Sequence, residues 1–281
     1  SLLPIMGKVM ESLAHPRLEG YFMERKLIPD FQTGFRKRHS TSINLRRLFS
    51  NSYFQSTIGV QKRPTVSIFF DAEKAFGTGG HEGLLGKMAK DGIPAQIIRF
   101  LGNWLLNREL KVRIGKEYSR NIALKSGVPQ GSVISPLLWN YWLGDCPAAL
   151  SPHAFSALYA DDVALWASHP SYRSLIKIVN GEIKNLVEWI RCKRLVFTQE
   201  KTMAMVTHSN RQVRNKVKAL RLYMDEDRQE LIGWKNQAVL LGVLFHETGS
   251  FAPHIHNKVR QANARVRSLW RFNKVLEGDK L

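Results

Sequence analysis

The chain has 281 residues, room for about two average domains or one multi-lobed unit, and its 44% hydrophobic content excludes a disordered or fibrous protein. Forty-two Lys and Arg against 23 Asp and Glu leave a net charge of +19, the balance of a protein that meets a polyanion, most often nucleic acid. Cys146 and Cys192 form no CxxC, which excludes a disulfide framework or zinc cluster, and no apolar run is long enough to cross a bilayer.

Residues 3–22 carry helical periodicity, expected to be interrupted near Pro16, and 27–41 read as a basic, loop-like segment with Pro, Gly and aromatic residues. TVSIFF (65–70) is short, β-branched and aromatic, and predicts a buried strand that ends on Asp71. Helices are expected over 81–90 and 94–107, then a hairpin in which LKVRI and NIALK flank GKEYSR. SGVPQGSVISPLLWNYWLGD (126–145) begins as a Gly/Pro loop and becomes an apolar helix, with Ser135 as N-cap and Pro136 at the first helical position. ALYADDVALWA (157–167) reads as two short strands around a pair of Asp. A long helix over 171–194 follows, with Tyr172, Leu175, Ile176, Val179, Ile183, Leu186, Val187 and Ile190 on one stripe. MAMVT (203–207) and AVLLGVLF (238–245) read as strands, and 254–276 as a strongly basic helix. Interleaved elements with a hairpin among them predict an α+β fold with an antiparallel sheet.

The Asp161-Asp162 pair is the anomaly. Each carboxylate costs several kcal/mol to desolvate, on the order of the handicap of any buried charge. Adjacent like charges also repel. The pair could be a tight turn, where Asp is at home. It could equally be half of a metal site, if Asp71 closes a neighbouring strand of the same sheet. Three carboxylates at one sheet edge suit Mg²⁺ or Mn²⁺, and two such ions can serve an in-line phosphoryl transfer.

Taken in order, FFDAEKAF, SGVPQGSVISPLLWN, LYADDVALWA, the lysine of QEKTMAMV and LLGVLF resemble the palm motifs of the reverse transcriptases of non-LTR (LINE-type) retrotransposons. GFRKRHST and SLLPIMGKVMES resemble that family's fingers motifs, so the likeness covers nearly the whole chain. It implies a right-hand polymerase: fingers over 1–64 with 92–125, palm over 65–91 and 126–250, and the beginning of a thumb over 251–281. The implied activity is RNA-directed DNA polymerisation. Asp71, Asp161 and Asp162 would hold two Mg²⁺, with Mn²⁺ as a substitute, and Asp71 and Asp161 would matter most. Lys201 would stand near the departing pyrophosphate as a general acid. Phe76 would be a steric gate against the 2′-hydroxyl, with Ala72 beside it as a substrate-binding position. Gln130 and Gly131 would line the nucleotide and template pocket, and Arg36 would contact the triphosphate. LLGVLF would grip the primer end, and Lys258, Arg260, Arg265, Arg267 and Arg271 would follow a duplex backbone.

The implied partners are an RNA template, a DNA primer and dNTPs, with no membrane. The endonuclease and other domains of a longer parent polyprotein are expected outside this piece. The implied location is the nucleus at the site of action and the cytoplasm for ribonucleoprotein assembly. Two departures stand out. Gly77-Thr78-Gly79-Gly80 replaces the bulkier residues the family carries before His81, and Thr198 replaces its usual Asn. The alternatives are a nucleic-acid-binding remnant without turnover and an RNA-dependent RNA polymerase.

Overall fold

The computed structural model describes residues 3–58, 62–71, 79–106, 108–146, 150, 154–195, 197–224 and 231–278; of Gln55, Asp71 and residues 271–278 the backbone alone is described. At its centre is a five-stranded sheet. β1 (Thr65–Asp71) lies in the middle, flanked by β7 (Asp162–Ser168) and β8 (Met203–Thr207); β6 (Phe155–Tyr159) and β9 (Gly233–Trp234) form the edges. The pairings β6–β7, β7–β1 and β1–β8 are antiparallel, and β8–β9 is parallel. The α+β expectation holds.

β1 is buried on both pleats because both faces of the sheet are covered. Val66, Ile68 and Phe70 join one core with Val163 and Leu165; Phe69 joins a second with Ala164 and Trp166. Helices cover the first face: α1 (Ile5–Glu24), α3 (His81–Lys90), α4 (Ala95–Leu105), α5 (Ser135–Trp142) and α6 (Tyr172–Cys192). The predicted stripe of α6 is buried from Leu175 to Ile190, through Ile176, Val179, Ile183, Leu186 and Val187, whereas Tyr172 at the helix start is exposed. Full burial of each such side chain is worth roughly 1.5–3 kcal/mol. Ser171 caps that helix by accepting from the Ser174 N–H.

The second face is covered by α2 (Thr41–Leu48), a π-helix (Phe49–Ile58) and the hairpin of β10 (Gln237–Leu240) and β11 (Val243–His246). Tyr53 stands at its centre with its ring beside Phe49, Phe245 and Phe251, and its hydroxyl donates to His246 O at 2.7 Å. From Phe251 the chain enters the basic helix α8 (Ala252–Gly278). Two small ribbons, β2 (Arg108–Leu110) with β5 (Ile122–Leu124) and β3 (Arg113–Ile114) with β4 (Glu117–Tyr118), lie where the hairpin was expected, but Glu117 and Tyr118, expected in the turn, pair with Arg113 and Ile114. The short helix α7 (Arg211–Lys218) links β8 to β9.

Three local expectations are corrected. Pro16 lies inside α1 without ending it, because buried Leu18 and Phe22 hold the helix to the core beyond the lost backbone bond. Helix α5 begins one residue early: Ser135 is its first residue, and Ser132 Oγ does the capping by accepting from the Ile134 and Ser135 N–H groups. AVLLGVLF is two strands, not one. Leu241 and Gly242 both take positive φ, 50° and 80°, and turn the chain in a two-residue hairpin loop. The apolar residues around that Leu-Gly concealed it.

Candidate active site

Strand register assembles the site. In the β1–β7 ladder Asp71 is the cross-strand partner of Asp162, which sets their Cα atoms about 4.5–5.5 Å apart. Asp161 precedes Asp162 as the second residue of the two-residue turn from Tyr159 to Asp162. Positions 71, 161 and 162 therefore share one sheet end. Asp162, rather than Asp161, is the residue directly opposite Asp71. Asp161 is half-buried and Asp162 exposed. Lys201 is exposed in the turn two residues before β8, at the same end of the sheet.

The turn is bound from behind. Ala160, its first residue, takes φ +57°, which costs a non-glycine residue roughly 1–2 kcal/mol. Its N–H donates to Gln32 Oε1 at 3.3 Å, and its carbonyl accepts from Trp139 Nε1 at 3.0 Å. Gln32 Oε1 also accepts from the Gly34 N–H at 3.1 Å, and Asn140 Nδ2 donates to Gly34 O at 2.7 Å. A β-carbon on Gly34 would stand 2.6 Å from Ala160 N, so only glycine fits there. One step back, Leu158 O accepts from Asn44 Nδ2 at 2.8 Å and from the Thr33 N–H at 3.2 Å. Gln32 and Asn44 lie outside every motif quoted from the sequence; Trp139 and Asn140 close the SGVPQGSVISPLLWN motif but were given no role there.

The second predicted loop is anchored as well. Gly131 takes φ +88°, and Gln130 and Gly131 are exposed. The buried carboxylate of Glu11 on α1 accepts from Ser132 Oγ and the Val133 N–H, both at 2.7 Å, and from Trp104 Nε1 at 2.9 Å. This loop is laced to the segment that follows Asp71. Gly127 N donates to Gly79 O at 2.7 Å, and a His81 ring nitrogen lies 2.6 Å from Gly127 O. A groove of about 410 Å³ opens beside that seam, with Arg108, Lys125 and Arg194 on its walls. Ala72, Phe76 and the Gly77-Thr78 pair lie outside the described residues.

Arg36 is placed otherwise than as a free phosphate contact. Its side chain is 7% exposed, donates to Pro29 O at 2.8 Å and Gln32 O at 3.2 Å, and pairs with Asp30 at 3.6 Å. It braces the loop that carries Gln32 and Gly34. Lys258, Arg260, Arg265 and Arg267 are exposed along α8.

The donor set is carboxylate only, which suits a hard divalent cation. Two like charges directly opposed across a ladder are unfavourable without one.

Residues 1–245 match the family described as reverse transcriptase (RNA-dependent DNA polymerase). Among curated proteins the chain is similar to the probable RNA-directed DNA polymerase from transposon BS of Drosophila melanogaster, at 30% identity over 98% of this chain and 30% of the relative. It is also similar to the RNA-directed DNA polymerase from mobile element jockey of the same species, at 32% identity over 75% of this chain and 23% of that protein. The chain thus spans a third or less of these relatives. In fold it resembles apo telomerase from Candida tropicalis, with a TM-score of 0.55 at 13% identity over 85% of this chain and 40% of that one. These likenesses, with the three Asp positions 71, 161 and 162 at one end of the central sheet, make this chain a member of the reverse transcriptase family, of the kind carried by non-LTR retrotransposons.

Proposed function

We propose that the chain catalyses RNA-directed DNA synthesis, in which a primer 3′-hydroxyl attacks the α-phosphate of a dNTP paired to an RNA template. The observation that carries this reading is the pairing of Asp71 with Asp162 beside Asp161. Asp71, Asp161 and Asp162 would hold two Mg²⁺, or Mn²⁺ in their place. When bound, these ions supply Lewis-acid activation of the attacking oxygen and charge neutralisation at the leaving one. The protein's own part is to hold the carboxylates on a rigid ladder, so that little reorganisation is needed during reaction.

Lys201 stands on the same sheet end and would donate a proton to the departing pyrophosphate. Phe76 would exclude the 2′-hydroxyl, next to Ala72 in the sugar pocket. Exposed Gln130 and Gly131 would meet the nucleotide and template, with Gly131 letting the backbone come close. Arg36 serves by shaping its loop. In this reading 1–64 with 92–125 are fingers, 65–91 and 126–250 palm, and 251–281 the start of a thumb. The exposed cations of α8 would follow the duplex, and a longer parent polyprotein would bring this domain to nuclear DNA.

Primer extension on poly(rA)/oligo(dT) with Mg²⁺ tests the proposal. Activity is expected from the native chain, with Asp161→Asn at least about 100-fold slower, the scale on which loss of preorganised charge acts. Equal extension by both proteins would refute it, and binding without extension by the native chain would identify a nucleic-acid-binding remnant.

A further inference from the structure

We propose that Gln32 and Trp139 are positioning residues that fix Asp161 by capturing both polar groups of the Ala160 backbone. The inference rests on the polymerase reading of Asp161. Ala160 is the residue immediately before Asp161, and its left-handed φ is unfavourable for alanine. A turn of that kind persists only where its surroundings over-determine it. Here the surroundings are side chains from two distant segments. Gln32 takes the N–H and Trp139 takes the carbonyl, and both residues are buried, at 0% and 2% exposure.

The orientation of the Gln32 amide is fixed by chemistry. Two backbone N–H groups, of Gly34 and Ala160, face Oε1, so the amide cannot turn over without opposing donor to donor. Among the described residues Gln32 Nε2 is then buried without a hydrogen-bond partner. Asn44 Oδ1 and Asn140 Oδ1, the unused halves of the neighbouring amides, are in the same position. Each such atom carries a desolvation cost that nothing offsets. A Met or Leu at these positions would remove that atom but would also strand the backbone groups that the amides now serve. What they supply is direction: one half of each amide is aimed at Ala160, Leu158 or Gly34, on the hairpin or the loop that holds it.

Half-satisfied buried amides call for a reason beyond packing, and here the reason is what their satisfied halves hold. The consequence is that the fingers loop 32–34 is a structural part of the metal site. Asp161 is aimed by groups that touch neither the metal nor the substrate, as a ligand is aimed by the residues behind it.

The test uses Gln32→Met, which keeps length and loses the acceptor, and Trp139→Phe, which keeps a ring and loses the donor. Asp161→Asn is the control. Mn²⁺ alone is titrated by electron paramagnetic resonance, and single-nucleotide addition, primer–template affinity and melting temperature are measured on the same proteins. Both variants are expected to weaken Mn²⁺ binding and slow addition by about 10- to 100-fold, with primer–template affinity unchanged. Native Mn²⁺ binding and rate in both variants, alongside losses in Asp161→Asn, would overturn this inference and leave the polymerase reading standing. A rate loss matched by equal losses of duplex affinity and melting temperature would mean a merely structural role, and would also overturn it. Unchanged metal binding and rate in Asp161→Asn itself would remove the polymerase reading and this inference together.

Discussion

Single residues outside the site show how much of this molecule depends on charged groups held in half-wet places. Asp91, at the end of α3, accepts from Lys87 Nζ at 2.8 Å and from the Tyr141 hydroxyl at 2.6 Å. Burial alone would raise its pKa, but those hydrogen bonds and the charges of Lys87 and Lys193 outweigh burial and hold it below the ordinary 3.8. A carboxyl with a lowered folded pKa stabilises the fold above its unfolded pKa and loses that contribution as pH falls through the folded value. Urea unfolding of Asp91→Asn should therefore show a deficit against the native protein at pH 7. That deficit should shrink below about pH 4, where the unfolded carboxyl begins to protonate. The same scale explains what could and could not be read beforehand. Asp71, Asp161 and Asp162 announced themselves because charge in an apolar strand is locally anomalous. Gln32 and Glu11 did not, because the atoms they serve lie 128 and 121 positions away along the chain. No pattern within a short window encodes such a partner.

Elements were legible where their period was strong. Helix α6 was read almost to its ends, since its apolar stripe and its length agree. Ile183 lies fully buried at the centre of that stripe. Ile183→Ala is expected to destabilise the protein by about 2–5 kcal/mol, a transfer loss plus an unfilled cavity, seen as a lower urea midpoint at unchanged slope. The hairpin inside AVLLGVLF was missed for the opposite reason. Both of its strands are apolar and its turn holds a Leu, so nothing polar punctuates the run. The parallel edge strand β9 is two residues long and offers no period at all. The π-helix Phe49–Ile58 has the same composition as a strand-and-turn segment and is held by what packs on it. The register of β1 was accessible only as a condition: if the strands paired, Asp71 would meet the other two. The ladder meets that condition through Asp162.

At the scale of the whole molecule, the charge of +19 was the first clue, and its distribution gives it use. Among the described residues four exposed cations, Lys258, Arg260, Arg265 and Arg267, lie along α8, and three more line the groove beside the Gly79–Gly127 seam. Affinity for a primer–template should fall steeply with salt, about one logarithmic unit of slope for each phosphate neutralised. Replacing Arg260 and Arg267 together by Ala should flatten that slope by roughly two, as read from fluorescence anisotropy between 50 and 300 mM salt. The aromatic knot around Tyr53 has a consequence for how the chain is made. Tyr53 is completed by His246 and Phe251, which leave the ribosome almost 200 residues after it. Until the hairpin of β10 and β11 is made, the second face of the sheet is covered only by α2 and the π-helix, and a chain arrested before Phe245 would leave the remainder of that face bare. Such prematurely terminated copies would clump rather than compete with full-length protein for nucleic acid.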